Sequence, residues 1–464
     1  MSDMNTPQFE LARSVGQRLL AAGASDCLLV GDFVRDQLLG APSEEAELEV
    51  YGLNYEQIVG ALSCNHDSIK LLEGRLGTVK IGHLLNVSMP RREMKSGMGH
   101  KDLMFDVDTT ITPHEACARR DFTVNAIGMR LDGSIFDPFG GCHDLRRGIL
   151  RATSRASRND PALVLRGMPL AARFGLETEE QTAAMCREMV AEFGTLSAEC
   201  VWEAWREWAA QGRYPGKGLR LLEQTGWIKC FPVLDTMART PQDPVWHPEG
   251  NVFIHTVHAC DAAVTIAQRE GLDENQRTVL LLATLCHDFG KIETTVRNDR
   301  GRWIAPGHAE RGSDLAAAFL RGMHASEQVV DLVLPLVAQH MVTLGMPKHA
   351  PPSARVVRRL VRELAPATIH LWAAVCEADS SGRPPKPPQN PGATWLQVAE
   401  ALVVQDAQPQ PLIGGRHLLA LGYTPGPTLG SILRAAFEAQ RDGCFEDVDG
   451  AVRWVREHFP EIRT

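Results

Sequence analysis

The chain lacks the features that would place it in a membrane or in an oxidising compartment. No apolar run in its 464 residues approaches the roughly 18 residues needed to span a bilayer. Residues 1–23 contain no basic segment followed by an apolar core, so we expect no secretory signal. The 11 cysteines are scattered without a C-x-x-C pair, which is typical of reduced thiols. We therefore expect a cytoplasmic protein with no membrane partner.

A positive net charge and internal repeats are also absent. The net charge of −9 argues against a uniformly basic nucleic-acid coat, although it leaves room for a local basic stripe. With 44% hydrophobic and 23% charged residues, the composition is that of an ordinary globular protein. The length allows roughly two to four domains. Nothing in the sequence predicts an oligomeric state.

The pattern of hydrophobic residues changes about one third of the way along the chain. Strand-like segments occur at Leu28–Val30, Glu47–Tyr51 and Leu84–Met89, whereas one helix-like segment follows another from about residue 155. Strands followed by helices predict an α+β fold with separate domains. Ser380–Pro391 contains five prolines, which predicts a stiff, exposed linker. The predicted segments are a mixed-sheet head (1–152), a helical neck (153–235), a helical metal-binding domain (236–380), and a linker with a helical tail (381–464).

The pentapeptide His287-Asp288-Phe289-Gly290-Lys291 is the strongest candidate site. A lone histidine on an apolar helix is more often a core residue, but an adjacent His-Asp pair with a lysine one turn later is rarer. Nitrogen and carboxylate ligands together suit Mn, Fe, Co, Ni or Zn, and such an ion lowers the pKa of bound water toward about 7. Lys291 is placed to neutralise a phosphate oxygen. Further candidate ligands lie at the ends of other apolar helices: His255, His308, His340 and Asp379.

These residues resemble the pattern of the HD-domain metal-dependent phosphohydrolases. His255, His287-Asp288 and Asp379 match its ligands, and His308 and His340 fall where dinuclear members carry extra ones. The segments Trp246–Glu249, Gly307-His308 and Glu377–Asp379 are similar to bacterial CCA-adding tRNA nucleotidyltransferases with a C-terminal HD domain. The resemblance implies phosphatase, 2′-nucleotidase and 2′,3′-cyclic phosphodiesterase activity. It also implies catalytic roles for His287, Asp288 and Lys291, with one or two divalent ions.

The first part of the chain resembles the head of the class II tRNA nucleotidyltransferases and poly(A) polymerases, from about residue 27 to 175. The segments that carry this resemblance are Gly31–Asp36, Arg119–Ala126, Asp137–Gly141 and Asn159–Arg166. It implies a nucleotide-binding site, active or vestigial, made of Gly31, Arg35, Asp36, Glu45, Glu47, Arg120, Asp121, Asn125, Asp160 and Arg166.

Several positions depart from that family's pattern where its chemistry takes place. The D-x-D metal-binding pair reads Glu45-Ala46-Glu47, and Asn86 stands where a further carboxylate is expected. Each extra methylene moves a carboxylate by roughly 1 Å, and a misplacement of about 1 Å can cost about 10²-fold in rate. Asp32 replaces the second glycine of the phosphate loop, and Leu163 replaces a base-selecting arginine. We therefore expect a retained fold with impaired nucleotidyl transfer.

Three functions remain open from the sequence. The first is a metal-dependent phosphohydrolase on an RNA-binding scaffold. The second is an active CCA- or poly(A)-adding enzyme that uses Glu45 and Glu47 to hold Mg²⁺ with ATP or CTP. The third is a non-catalytic RNA-binding protein.

A broken series of basic residues favours RNA as the partner, as a tRNA or an RNA 3′ end, although spaced charges are usually solvated helix faces. The series is Arg91, Arg92, Lys95, Lys101, Arg119, Arg120, Arg146, Arg147, Arg151, Arg155, Arg158, Arg166 and Arg173.

Overall fold

The computed structural model describes residues 6–41, 43, 45–63, 69–71, 78–95, 103–154, 160–345, 351–402 and 410–460. Lys101, Arg155, Arg158 and Asn159 of the predicted RNA-binding and nucleotide-binding segments lie outside them. The chain divides into two compact units, of which the first comprises Met1–Trp208 with Gly212–Cys230 and the second Ala209–Gln211 with Phe231–Thr464. The four predicted segments with their boundaries stay a prediction.

The first unit contains a mixed sheet, as the sequence predicts. Its strands are β1 (Asp26–Val30), β2 (Ala46–Tyr51), β3 (Ile69–Leu71), β4 (Thr78–Ile81), β5 (Leu85–Ser88), β6 (Arg91–Lys95), β7 (Leu103–Val107), β8 (Gly128–Arg130), β9 (Ile135–Phe136), β10 (Ile149–Leu150) and β11 (Glu177–Thr178). Seven of them form one sheet in the order β3-β4-β5-β2-β1-β8-β9. Within this sheet β2 and β5 run parallel, and the other neighbours run antiparallel. The α+β fold class is thereby confirmed.

Helices cover this sheet and continue beyond it. They are α1 (Pro7–Ala21), α2 (Asp32–Leu38), α3 (Tyr55–Ser63), α4 (Pro113–Ala118), α5 (Gly141–Arg147), α6 (Ala162–Phe174), α7 (Glu180–Glu188), α8 (Ala198–Gln211) and α9 (Pro215–Gln224). Gly31 has a φ of 72°, a conformation that glycine adopts without strain, and it forms the sharp turn between β1 and α2. Leu28, Val30 and Tyr51 pack together in the core behind that turn.

The second unit is almost entirely helical. Its helices are α10 (Pro232–Met237), α11 (Val252–Arg269), α12 (Glu274–Cys286), α13 (Lys291–Thr294), α14 (His308–Gly322), α15 (Glu327–Gln339), α16 (Ala354–Leu364), α17 (Ile369–Ser381), α18 (Ala393–Ala401), α19 (Gly415–Ala420), α20 (Pro427–Arg441) and α21 (Val448–His458). A short hairpin of β12 (Val296–Arg297) and β13 (Trp303–Ile304) interrupts them. The expectation of helices alone beyond residue 155 is therefore wrong at this hairpin and at β11, because two-residue strands give no periodic signal.

Helix α12 lies at the centre of the second unit. Every residue from Thr278 to Cys286 is buried, as expected of a helix that is apolar on all sides. Its start is fixed by Asp273, which forms a capping box with Gln276. No described helix is long and apolar enough to cross a membrane.

The proline-rich segment after α17 is tied to the second unit by several hydrogen bonds. Lys386 Nζ donates to the carbonyl oxygens of Val245 and Trp246, both at 2.8 Å. Asn390 donates to Glu377 at 2.7 Å. The segment is mostly exposed, as predicted, but these hydrogen bonds fix its path beside the helices.

Candidate functional site

Helix termini of the second unit bring the predicted metal ligands together. The four histidines lie in the first turn or at the end of a helix: His255 in the first turn of α11, His287 at the end of α12, His308 at the start of α14 and His340 directly after α15. Asp379 lies in the last turn of α17. All five side chains, and Asp288, are largely or fully buried.

A glycine permits the close approach of two of these elements. A Cβ atom on Gly290 would lie 2.0 Å from the carbonyl oxygen of His308 and 2.6 Å from the amide nitrogen of Gly312. Only glycine therefore allows the turn after Asp288 to pack against α14. This contact places His308 next to the His287-Asp288 pair.

The first group of ligand atoms surrounds His255. Its Nε2 lies 3.0 Å from Asp379 Oδ1, 3.3 Å from His287 Nε2 and 3.7 Å from Asp288 Oδ2. His287 Nε2 is 3.3 Å from the same Asp288 Oδ2. These separations are those expected of ligands that share one ion at about 2.0–2.2 Å.

A second group of ligand atoms shares Asp288 with the first. His308 Nε2 lies 3.2 Å from His340 Nε2 and 3.4 Å from Asp288 Oδ1. The two oxygens of Asp288 therefore face different pairs of histidines. These two groups of side chains would hold one or two divalent ions.

The tautomers of three histidines follow from their backbone partners. The Nδ1 atoms of His287, His308 and His340 lie 2.6–2.7 Å from the carbonyl oxygens of Thr284, Ala305 and Val337. A carbonyl oxygen only accepts, so each Nδ1 carries a proton, and in the neutral rings of His308 and His340 the Nε2 atom presents a lone pair.

This protonation pattern fits a divalent cation. Two Nε2 lone pairs, on His308 and His340, face each other at 3.2 Å beside a carboxylate oxygen, which is unfavourable unless a cation lies between them. Asp288 Oδ2 is buried without a donor in hydrogen-bond geometry among the described residues, although Lys291 Nζ is 2.7 Å away. The donor set of imidazoles and carboxylates suits transition metals.

The pKa values of the ligand side chains also fit a divalent cation. Burial lowers the pKa of His340 to about 3 and lowers that of His308 as well, so both rings are neutral near pH 7. Burial alone would raise the pKa of Asp288, but His287 and Lys291 outweigh it and hold the pKa well below its ordinary range. His255 differs: burial opposes its protonation, yet hydrogen bonds to Asp379 and Glu249 raise its pKa. Metal binding at His255 would therefore release a proton.

Two cations accompany the ligands. Lys291 was predicted to lie on the His287 face of its helix, and its Nζ contacts Asp288 Oδ2 and Gln242 Oε1, both at 2.7 Å. Arg383 donates to Asp379 Oδ1 at 2.5 Å. Both cations line a cavity of about 360 Å³ together with Asp288, His308 and Asp379, where they can neutralise a bound phosphate.

His247 and Glu249 also belong to this site, in roles that were not predicted from the sequence. The fully buried Glu249 carboxylate accepts from His247 Nδ1 and from His255 Nδ1, each at 2.8 Å. It orients His255 so that Nε2 points to the other ligands. The signal was present in the loop before α11, where a glutamate follows a histidine at i+2, but a single sequence does not show which histidine it contacts.

The candidate metal-binding carboxylates of the head already have partners. Glu45 Oε1 forms an ion pair with Lys80 Nζ, and Glu45 Oε2 accepts from Asn86 Nδ2 at 2.8 Å. Glu47 Oε1 accepts from Ser88 Oγ at 2.9 Å. In the sheet Glu47 is paired with Asn86, and Asn86 with Lys80. A lysine ammonium thus pairs with Glu45, whereas Glu47 has Ser88 and, at 3.9 Å, Arg120 as its neighbours.

The predicted phosphate loop forms a network around the buried Arg35. Its guanidinium donates to Asp32 Oδ1 at 2.9 Å, to Asp36 Oδ1 at 2.9 Å and to Asn125 Oδ1 at 2.7 Å. Asp32, expected to repel a triphosphate, is thus partly neutralised by this contact, although its side chain is 71% exposed. Arg173 donates to Asp36 Oδ2 at 2.9 Å.

A second network joins the other predicted nucleotide-binding residues. Arg166 donates to Asp121 at 3.0 Å and to Asp160 at 2.8 Å. Asn125 donates to Asp121 at 3.0 Å. Leu163 is fully buried in α6 and therefore cannot contact an incoming base.

Several arginines of the basic series are paired with acids rather than presented singly. Arg120 lies 3.5 Å from Glu49 and 3.9 Å from Glu47, close to Gly31. Arg151 donates to Asp144 at 2.9 Å. Such pairing reduces the positive charge that this series can offer to RNA.

Two known domain families match two separate segments of the chain. Residues 27–151 match the Poly A polymerase head domain, and residues 252–399 match the HD domain. The multifunctional CCA protein of Nitrosococcus oceani is 30% identical over 361 residues, covering 76% of this chain and 84% of that protein. The multifunctional CCA protein of Xanthomonas campestris pv. campestris is 31% identical over 426 residues, covering 88% and 96%.

Solved structures share the fold. A CCA-adding enzyme in its apo form II superposes with a TM-score of 0.65 at 18% identity, covering 97% of this chain and 96% of that one. The Thermotoga maritima CCA-adding enzyme complexed with tRNA_CCA gives a TM-score of 0.61 at 18% identity, covering 98% and 96%.

Proposed function

Since this chain belongs to the family of the multifunctional CCA proteins, we propose that it is a metal-dependent phosphohydrolase that acts at the 3′ end of RNA. The family is one of enzymes, with an HD domain on a scaffold like that of the CCA-adding enzymes. The proposed reaction is the opening of a 2′,3′-cyclic phosphate or the removal of a terminal phosphate, in the cytoplasm.

The observation that carries this proposal is the sharing of Asp288 by two histidine pairs. Its Oδ2 faces His255 and His287, and its Oδ1 faces His308. A divalent ion held there would supply Lewis acidity and lower the pKa of water. Lys291 and Arg383 would offset the negative charge that develops on the phosphate.

The proposed partner is a tRNA or another RNA with an accessible 3′ end. The names of the relatives refer to CCA, and one structural neighbour is complexed with tRNA_CCA. Phosphate contacts would position such an end without reading its sequence.

The test is a screen of 2′,3′-cyclic, 2′- and 3′-phosphates with Mn²⁺, Co²⁺ or Ni²⁺, together with metal analysis of the purified protein. We expect His287→Ala or Asp288→Ala to abolish hydrolysis and to reduce the metal content, while RNA affinity stays nearly unchanged. Full turnover by either variant would contradict the assignment. Tight tRNA binding without turnover by the wild type would favour a non-catalytic RNA-binding protein.

A second candidate function is nucleotidyl transfer by the head. Arg35 is hydrogen-bonded to Asp36 and Asn125, and Arg166 to Asp121 and Asp160, and the relatives are named CCA proteins. The ion pair of Glu45 with Lys80 supports an impaired head instead. Incubation with tRNA that lacks its 3′ end and labelled CTP or ATP distinguishes the two, because incorporation that is lost in Glu47→Ala would establish transfer.

A further inference from the structure

The cavity at the candidate metal centre is lined by two chemically different sets of residues. Buried polar groups, among them Asp288, His308 and Asp379, form one set. The other set is apolar and consists mainly of Trp246, Trp303, Ile304, Met341 and Leu344. A phosphate needs only the polar groups, so the apolar residues point to a further part of the ligand.

The apolar side chains are exposed to a degree that folding does not require. Trp246 is 54% exposed, Ile304 42% and Leu344 68%. Exposed apolar side chains that cluster at one cavity mark a binding site more often than single ones scattered over a surface. All of them belong to the second unit.

Both tryptophans are held in place by cations. The Arg297 guanidinium lies over the Trp303 ring at 4.5 Å, across the hairpin of β12 and β13. Lys386 Nζ lies 5.5 Å from the Trp246 ring centroid and donates to the backbone carbonyl of the same residue. Contacts of this kind orient an indole that would otherwise rotate freely.

We propose that Trp246 and Trp303 form a binding site for the base of the nucleotide whose phosphate lies at the candidate metal centre. This inference rests on the proposed phosphohydrolase function and names its substrate as a nucleotide, either free or at the end of an RNA. Aromatic side chains stack on any base, because every base has a π-face. The cavity of about 360 Å³ lies at the small end of the usual range of about 300–1,000 Å³ for ligand sites, which suits one nucleotide.

The experiment compares a substrate that has a base with one that lacks it, using the full chain loaded with Ni²⁺ or Mn²⁺. The substrates are adenosine 2′,3′-cyclic phosphate and 1-O-methylribose 2,3-cyclic phosphate. In each, water adds to phosphorus and one P–O ester bond opens to give a monoester and a free hydroxyl. We expect the adenosine compound to have the higher kcat/KM. A short RNA ending in a 2′,3′-cyclic phosphate, run in parallel, identifies the natural source of the nucleotide.

The variants are Trp246→Ala and Trp303→Ala, with Leu419→Ala as a control that removes an exposed apolar side chain elsewhere in the same unit. Each tryptophan variant should lose about 10- to 100-fold in kcat/KM on the adenosine substrate, as expected for one base–aromatic stack. The base-free substrate should be nearly unaffected. Trp303→Phe should retain most of the activity, because it keeps an aromatic face.

Equal losses on both substrates would overturn the base site, as would a wild type with no preference for the base. If no substrate is hydrolysed, the proposed phosphohydrolase function is wrong, but the base site can still be tested by measuring nucleotide binding. The metal-loaded wild type should then show quenching of its tryptophan fluorescence with adenosine 2′-monophosphate and none with ribose 5-phosphate. The same response to both ligands, or to neither, would reject the base site.

Discussion

At the scale of single residues, the orientation of the ligand His255 in the candidate metal centre depends on Glu249. This fully buried carboxylate accepts from Nδ1 of both His247 and His255. A carboxylate behind a ligand histidine fixes its tautomer and increases its basicity, and its loss typically lowers metal affinity by about 10- to 100-fold. We therefore expect Glu249→Gln to weaken metal binding by about that factor, as measured by competition with a chromophoric chelator.

The matched control for this substitution is Glu327→Gln. Glu327 is 64% exposed and pairs with Arg321 on the surface, so its amide variant should bind metal like the wild type. Unchanged affinity in Glu249→Gln itself would show that this carboxylate does not orient the ligand.

The ionisation of Glu45 tests the arrangement in the head. Its pKa is lowered first by the hydrogen bond from Lys80 and next by that from Asn86. Because these contacts favour the charged form, Lys80→Met should raise the pKa of Glu45 toward its ordinary value. The shift is measurable by NMR titration of glutamate labelled with ¹³C at the carboxylate.

Lys217→Met provides the comparison for that titration. Lys217 pairs with a different acid of the same unit, Glu177, and should leave the pKa of Glu45 unchanged. A Glu45 pKa that does not move in Lys80→Met would show that the ion pair does not persist in solution.

At the scale of elements, the site depends on the close packing of the turn after α12 against α14. A Cβ atom on Gly290 would meet the His308 carbonyl at 2.0 Å, and that backbone atom cannot rotate away. We expect Gly290→Ala to force the two elements apart, to lower stability by about 1–3 kcal/mol and to reduce metal affinity. Thermal unfolding and metal titration measure the two effects.

Gly322→Ala is the control for Gly290→Ala. It lies at the end of α14 with nothing within 4 Å of its Cβ position, and alanine is the better helix former by about 1 kcal/mol. This variant should be as stable as the wild type or more so. A fully stable Gly290→Ala protein with normal metal binding would show that the contact is not required.

At the scale of the whole molecule, the ligands come from helices that are far apart along the chain, from His255 to Asp379. An ion that binds only the folded state raises its stability, by about 2.7 kcal/mol when the free ion is at 100 times its Kd. We expect a chelator to lower the unfolding temperature of the second unit. Calorimetry of the wild type with and without chelator measures this shift, and Asp288→Asn should show none. A wild type that is indifferent to the chelator would contradict metal binding at this site.

The extent to which sequence predicted structure differs between the two candidate sites. The apolar helices that end in a histidine or an aspartate could be predicted from the sequence, because buried helices and helix termini have local sequence signals. Their convergence on Asp288 was only an expectation, since several unrelated contacts must form together. The ion pair of Glu45 with Lys80 was missed, because the two residues are neighbours only through the pairing of β2, β4 and β5.

The sequence by itself determined the α+β class, the long helices of the second unit and the identity of the metal-ligand candidates, since each depends on short-range periodicity or on a compact motif. Only the tertiary structure decided which oxygen of Asp288 faces which histidine pair, that Glu249 supports His255, and that two tryptophans line the same cavity. These facts depend on distances between segments, and such distances are set by the packing of the whole unit rather than by any stretch of residues.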